Sequence, residues 1–519
     1  MSAAAPTDAP ATLPEYPDRI DGAVLKVAGV VVLGAIMSIL DITVVNVALP
    51  TFQKVFAPEG GDPLAYSTVA WTVTAYTLAL ATVIPLTGWA ADRFGTKRLY
   101  MMSVALFVAG SALAGTAQSA EQLIFYRVLQ GLGGGMVMPA GITMLTRAAG
   151  QHRIGKMMGI VGVPMLLGPI VGPILGGWLV DGVSWRWIFY VNIPVGIATL
   201  VAAQRILPRD RPNPHERLDW IGLTMLSPGL TAFVYGLAEV AAEGGVSSTK
   251  AWLPMAIGVT LIALFVRHAL RTEQALLDLR LMREKTVMRA SSATTMLFGG
   301  AFFGTMLMLP LYYQVVRGSS ALEAGLLLAP NGVAAAIAMP IAGRYTDRHG
   351  AGHVVRLGLL FLGVGLFGFT HVSTDTSFWF MAGCQVLLGL GMGSAMMPSM
   401  AAAYQQMKHE QVARATTALN ILQRAGGAIG IALLSVVLTH QLTSTLPGGA
   451  GENGLSGTQS LPPQAREQML PAVAHAFGHT FWWALAIAVV AVIPSLWLPT
   501  ERTILPGEEL AAPPLMEGA

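Results

Sequence analysis

Apolar runs recur from residue 25 to residue 499. Each is near the roughly 20 residues a helix needs to cross the hydrocarbon core of a bilayer. Lipid tolerates no open sheet edge or irregular backbone, because it offers no partner to an unpaired N–H or C=O. The runs therefore predict membrane helices. Fourteen spans are expected, at 25–50, 67–90, 99–118, 121–146, 157–180, 185–206, 218–240, 252–269, 290–314, 322–343, 354–372, 377–403, 415–438 and 479–499. Composition agrees: 54% of the 519 residues are hydrophobic and 11% are charged, against about 25% charged in a soluble domain. So few charges cannot cover a soluble surface of this size. The expected fold class is an all-α polytopic membrane protein. The single Cys384 excludes an intramolecular disulfide and a cysteine-rich metal site. The amino-terminal stretch lacks the basic start and short apolar core of a cleaved signal, so the first run is expected to stay as a span.

An even number of spans puts both termini on one side. Of the 31 Lys and Arg, only Lys54, Arg186, Lys250, Arg317 and Arg466 then fall in outer connections, and Arg127 and Arg424 fall within spans. The others lie on the inner side, the asymmetry that sets orientation in membranes. Both termini are expected to be cytoplasmic, in a plasma (inner) membrane. Residues 267–289 should form a charged inner segment with an amphipathic surface helix. Residues 440–477 should form a mobile outer loop, because their Gly, Ser and Pro cannot build a core.

Two stretches repeat. GWAADRFG (88–95) returns as GRYTDRHG (343–350), and RVLQGLGGG (127–135) returns as QVLLGLGMG (385–393). The order is kept and the offsets are 255 and 258 residues. The chain is therefore expected to hold two related six-helix bundles, at 25–206 and 290–499, with two inserted helices at 218–270 and tails at 1–24 and 500–519. Paired bundles of this kind occur in transporters, with a substrate site between the halves near the bilayer midplane.

The repeat also serves as a control, because a charge present in one half alone is not required by the fold. Asp41, in SILDITVVNVALP (38–50), has no acidic mate in 290–314, and Arg127 is matched by Gln385. A low dielectric disfavours a charged carboxylate, so an acid inside a membrane is a candidate proton site. The bland alternatives are an Asp41 held neutral by Thr43 or Asn46, and an Arg127 that snorkels to the outer interface. Arg424 is a second embedded cation, expected near the inner end of its span. Gly88, Asp92, Arg93 and Gly95, with Asp347 and Arg348 in the second copy, suit an inner gate that clasps the two halves. The alternative is plain inner positive charge. Gly168, Gly172 and Gly176 form a smooth face, and Pro164, Pro169 and Pro173 weaken the same helix. Trp71, Tyr76, Phe298, Phe302, Tyr312 and Tyr313, with Met296 and Met306, are candidates to line an apolar cavity, although each alone is more often core or lipid-facing.

One longer pattern carries a resemblance. Gly159, Gly168, Gly172, Pro173, Gly176 and Gly177 meet G-(eight)-G-(three)-G-P-(two)-G-G. This resembles the antiporter motif of drug:proton antiporters in the major facilitator superfamily. The loop at 88–98 looks like that superfamily's cytoplasmic gating motif, and LIFYRVLQGLGGG (123–135) like its proton-linked arginine motif. LDITVVNVALP (40–50) and WRWIFYVNIPVG (185–196) are similar to signatures of its 14-span branch. The resemblance covers nearly the whole chain. It implies two six-helix bundles of the major facilitator fold plus two inserted helices, and export of a lipophilic or cationic compound in exchange for protons. Asp41 and Arg127 would serve proton coupling, Asp92 and Arg93 the inner gate, and the fifth-helix residues the antiport bias. A narrow-specificity exporter of a natural product or metabolite stays open, and so does a proton-coupled uptake carrier on the same fold. No enzyme, cofactor or metal site is expected, because the 10 His are scattered without nucleophile–base or metal spacing. The expected partners are a small-molecule substrate, protons and membrane lipid. Nucleic acid is not expected, a monomer is, and a periplasmic adaptor is left open.

Overall fold

A computed structural model describes residues 22–58, 64, 66–149, 154–208, 212–213, 215–243, 245–272, 275–280, 282, 285–405, 407, 411–445 and 463–501. The tails expected at 1–24 and 500–519 fall almost wholly outside these residues. Every regular element among the described residues is a helix. They are α1 (Gly22–Val55), α2 (Tyr66–Val83), α3 (Leu86–Phe94), α4 (Thr96–Gly115), α5 (Ala120–Ala149), α6 (Ile154–Gly182), α7 (Trp187–Tyr190), α8 (Asn192–Ile206), α9 (Trp220–Glu243), α10 (Thr249–Ala269), α11 (Thr286–Val315), α12 (Ala321–Leu327), α13 (Ala329–His349), α14 (Ala351–Phe369), α15 (Phe378–Gln405), α16 (Val412–Thr445) and α17 (Pro463–Ser495).

Against fourteen expected spans, twelve helices are long and apolar enough to cross a membrane, or thirteen when α2 and α3 count as one span bent by 57°. The remaining expected position is held by the 29-residue α6. The α2–α3 bend falls at Ile84–Pro85, where proline lacks the N–H that would continue the helix. Its repeat mate, Pro340, sits inside the unbroken α13. The expected loop at 440–477 is shorter, because α16 runs to Thr445 and α17 starts at Pro463. In the segment 267–289, where an amphipathic helix is expected, Arg280 and Met282 are helical, and the irregular stretch before them buries Ala275, Leu276 and Leu277 with Ile84 and Phe265.

The repeat has a packing cause. A Cβ on Gly131 would fall 2.7 Å from the Tyr76 carbonyl oxygen of α2, and one on Gly133 would fall 2.7 Å from the Ser103 carbonyl oxygen of α4. In the second half, a Cβ on Gly391 would fall 2.7 Å from the Leu362 N of α14, and one on Gly393 would fall 3.0 Å from the Ala335 carbonyl oxygen of α13. The same pairs of backbones approach closely in both bundles, so the shared glycines need no further explanation. Gly95 and Gly350 have φ of +86° and +84°. Each closes one helix and opens the next in a conformation that side chains resist.

The inserted pair lies against both bundles. Thr82 of α2 shares a 2.7 Å hydrogen bond with Thr231 of α9, and Trp71 stacks on Tyr235 at 5.9 Å. On its other side α9 packs Leu237 and Val240 against Ala432 of α16. Asp219, just before α9, accepts from the Leu276 N at 3.1 Å and lies 2.9 Å from the His268 ring at the end of α10. Exposed tryptophans mark the helix ends. Trp187, Trp252 and Trp379 stand at the expected outer ends, and Trp220 and Trp497 at the inner ones, as in an interfacial aromatic belt.

Candidate functional site

Asp41 of α1 and Arg127 of α5 meet inside the first bundle. Both side chains have 0% exposure, and Arg127 Nη1 is 2.5 Å from Asp41 Oδ2. The other carboxylate oxygen, Oδ1, accepts from Gln130 Nε2 at 2.8 Å and from Asn192 Nδ2 at 3.1 Å. Arg127 also donates to Gln130 Oε1 at 2.7 Å and, through Nε, to the Thr72 carbonyl at 3.0 Å. Its guanidinium carbon lies 4.0 Å from the centre of the Tyr76 ring. Asn192 is held in turn by Ser111 Oγ at 3.0 Å. Four helices, α1, α4, α5 and α8, supply side chains to one network, and α2 adds a carbonyl and a ring.

The network overturns both bland alternatives for the pair. Arg127 does not snorkel, because its charge is satisfied internally. Thr43 donates to the carbonyls of Ile39 and Leu40, and Asn46 is exposed, so neither holds Asp41. Two buried polar atoms stay open: Arg127 Nη2 and the Tyr76 hydroxyl have no hydrogen-bond partner. Gln130 had a sequence signal, since it lies one turn after Arg127 on the same face. Asn192 and Thr72 had none, because only the tertiary fold brings them near.

At the end expected to be inner, both copies of the repeated motif reach across to the opposite half. Asp92 of α3 accepts from Arg147 at 3.2 Å and lies 3.7 Å from Arg414 of α16. Glu216, in the connection before α9, accepts from the same Arg414, and the Asn213 N–H donates to the Asp92 carbonyl at 2.8 Å. Asp347 of α13 accepts from the backbone N–H groups of Gly155 at 2.8 Å and Lys156 at 2.9 Å, at the start of α6. An acid at a helix N-terminus meets unpaired donors and the positive end of the helix dipole. A Cβ on Gly88 would fall 3.3 Å from Thr417 Oγ1 of α16. Arg93 is half-buried and Arg348 exposed at the same end. Arg147, Arg414 and Glu216 were not picked out from the sequence, because charged residues near span ends look alike there.

Asp347→Ala removes the acceptor of two N–H groups at the start of α6. Loss of such a cap costs about 1 kcal/mol, roughly a fivefold change in an equilibrium. The inner end should open more often. In a background without Cys384, Thr417→Cys is buried behind Gly88, and its labelling by a thiol reagent should speed up by about that factor. An unchanged rate would mean that Asp347 does not hold this end closed.

The fifth-helix glycines divide. Gly172 packs on Thr43, Gly176 has Val44 at 3.2 Å from a virtual Cβ, and Gly177 has no neighbour within 4 Å. Close packing thus explains two of the three. Gly159, Gly168 and Pro173 lie on α6, but their surroundings fall outside the described residues. At its start α6 meets α13, where a Cβ on Gly155 would lie 2.6 Å from Asp347 Oδ1. One helix therefore touches the neighbourhood of Asp41 in α1 and the clasp in α13.

Three of the rings expected to line a cavity are packed inside the second bundle. Phe298, Phe302 and Tyr312 are at most 3% exposed. Phe298 stacks on Phe302 at 5.6 Å, and the Tyr312 hydroxyl donates to the Ser373 carbonyl at 2.8 Å. Tyr76 is buried under Arg127, and Trp71 is half-exposed against α9.

Two pseudo-repeated helical bundles, a buried ion pair in one of them and a charged clasp at one end are the architecture of a membrane transporter. The chain belongs to the Major Facilitator Superfamily, whose sequence profile matches residues 31–431. It is 42% identical to the multidrug resistance protein B homolog of Mycobacterium tuberculosis over 504 residues, covering 94% of this chain and 92% of that protein. It is 28% identical to the multidrug export protein EmrB of Haemophilus influenzae over 81% of each chain. The fold is shared with the proton:xylose symporter XylE, at a TM-score of 0.57 and 14% identity over 91% of this chain and 94% of that one. It is also shared with the human transporter MFSD10, at 0.61 and 16% over 90% and 100%.

Proposed function

We propose that the protein is a proton-coupled antiporter that exports lipophilic small molecules, a multidrug efflux pump working by alternating access. The observation that carries this reading is the fully buried Asp41–Arg127 pair, present in one bundle and replaced by a neutral side chain in the other. A proton on Asp41 cancels its attraction for Arg127, and the remaining contacts of Arg127 to Thr72 and Gln130 keep that cation in place. Protonation is thereby linked to the packing of α1 against α5. Each tenfold difference in proton affinity between the two facing states supplies about 1.4 kcal/mol of coupling. The names of the multidrug relatives support the substrate class, and the cross-bundle contacts of Asp92 and Asp347 support an inner gate at that end. Loss of those contacts would free the inner end for substrate entry.

The test is proton movement driven by substrate. Purified protein in liposomes with a trapped pH dye should show proton flux when a panel of lipophilic dyes and drugs, ethidium among them, is added. A collapsed gradient should abolish substrate accumulation. No flux with any member of the panel, from protein that is folded and inserted, would rule out proton exchange.

A further inference from the structure

The sequence places Arg424 near an inner end, but the structure places it at mid-depth. It is the thirteenth residue of α16, about 18 Å along the helix from Val412. It stands about 15 Å beyond Arg414 of the clasp. Its neighbours on the same helical strip all face the other half or the insert. Thr417 meets Gly88, Ile421 packs with Ile84 and Leu226, and Ala428 packs in the cluster of Leu237 and Val240. Arg424 therefore points toward α2 and the first bundle. Tyr76, the ring that covers Arg127, lies in its neighbourhood.

Two facts distinguish Arg424 from the other cation inside the membrane. Arg127 is fully buried and paired, whereas Arg424 is exposed. Among the described residues, Arg424 makes no hydrogen bond and no ion pair. An exposed, unpaired guanidinium at that depth calls for water or a polar ligand, since lipid would not tolerate it. Asp41, the buried acid of the first bundle, is already engaged by three donors. Other described acids in the spans stand at the ends. Glu239 is four residues from the end of α9, level with Ala432, about 12 Å outward of Arg424. Glu323 is committed to a capping box with Ser320.

We propose that Arg424 is the binding residue for the acidic group of the cargo, and that the cargo is a lipophilic organic monoanion such as an aryl carboxylate or sulfonate. The proposal rests on the export reading above and narrows its substrate class. A guanidinium presents parallel N–H donors that match an oxyanion bidentately. A single guanidinium suits one negative charge; a nucleotide or other polyanion would need more. The strip around Arg424 is mostly apolar, which favours a lipophilic body on the anion. Tyr76 links the two charged sites, so an anion on Arg424 alters the field at the Asp41–Arg127 pair. Export of an anion in exchange for an entering proton moves positive charge inward, in the direction a negative-inside potential favours.

The test uses full-length protein in liposomes and radiolabelled naphthalene sulfonate, a permanently charged lipophilic anion. Wild type should transport it under an imposed pH gradient, with competition from other aryl carboxylates and sulfonates. Arg424→Gln should raise KM by about tenfold to a hundredfold, the worth of charge-assisted hydrogen bonds, with a smaller change in kcat. Arg424→Lys, which keeps the charge and loses the fork, should recover part of the loss. Equilibrium dialysis of the same anion against purified protein gives a second readout that needs no proton flux. Probe binding with an affinity that Arg424→Gln does not change would overturn the proposal, and so would no probe binding by folded wild type. Either result leaves the export reading standing if another panel member drives protons. Anion binding that depends on Arg424 without any proton flux would keep the site and sink the export reading. Liposomes made with and without phosphatidylglycerol separate the two sources of an oxyanion. If that lipid alone displaces the probe and no soluble anion does, the site belongs to a headgroup and not to cargo.

Discussion

Asp41→Asn is expected to lower proton-driven export below about a tenth of wild type, the effect of losing one tenfold proton-affinity difference between states. Asn keeps the size and loses the titration. It also removes the counter-ion of Arg127, which would then be a buried cation held by neutral groups, among them Gln130, the Thr72 carbonyl and the face of Tyr76. Loss of export alone would not separate failed coupling from a damaged fold. Counterflow of labelled substrate without a pH gradient does separate them. A protein that has lost only its proton site should still exchange substrate across the membrane, while proton flux falls to background. Loss of counterflow together with a lowered melting temperature would make Asp41 a structural residue. Full proton-driven export by Asp41→Asn would remove it from the coupling mechanism.

The second large effect concerns Arg127. Arg127→Leu should destabilise the protein by about 3–5 kcal/mol, because it leaves a carboxylate buried without its partner. Asp41 would still accept from Gln130 and Asn192, but both donors are neutral. Removing both charges should cost far less. The second bundle shows the neutral form of this position in Gln385, whose amide donates to the Tyr313 hydroxyl at 3.4 Å. The double variant Asp41→Asn with Arg127→Gln should therefore regain most of the lost stability while remaining inactive. A cycle of melting midpoints in one detergent measures the coupling, expected above about 2 kcal/mol for contacting charges. Wild-type stability in Arg127→Leu would mean that water reaches the pair and that its burial is not what tunes it.

The charged clasp between the halves gains a member that had no signal in the sequence. Glu216 belongs to the connection that leads into the inserted pair, and it shares Arg414 with Asp92. The insertion is thus tied to these charged contacts at one end and packed against α2 and α16 along its length. An equivalence with the second motif copy does not extend this far. There Asp347 accepts from the backbone N–H groups at the start of α6. The same G-x-x-x-D-R-x-G frame makes two different contacts, because the helix opposite it differs.

Much of the architecture was legible because membranes allow few solutions. Run length set where helices form, and the repeated glycines marked the helix pairs that approach closely. Asp41 and Arg127 stood out as charges without mates in the other half. Their pairing with each other did not, since Asp41 lies in α1 and Arg127 in α5 and no local spacing brings them together. The packing of the aromatic residues expected to line a cavity was not legible for the same reason. Phe298, Phe302 and Tyr312 share the apolar character of their neighbours, and only packing decides whether a ring faces a ligand or another ring. Arg424 was read as an inner-end residue from its place in an apolar run. The fold put it at mid-depth and left it unpaired. The sequence by itself determined that the chain spans a membrane, that it is a doubled bundle, and which charges are out of place in lipid. Tertiary structure alone decided which of those charges satisfy each other and which stay free for a ligand, because pairing depends on distances of a few ångströms between helices far apart in the chain.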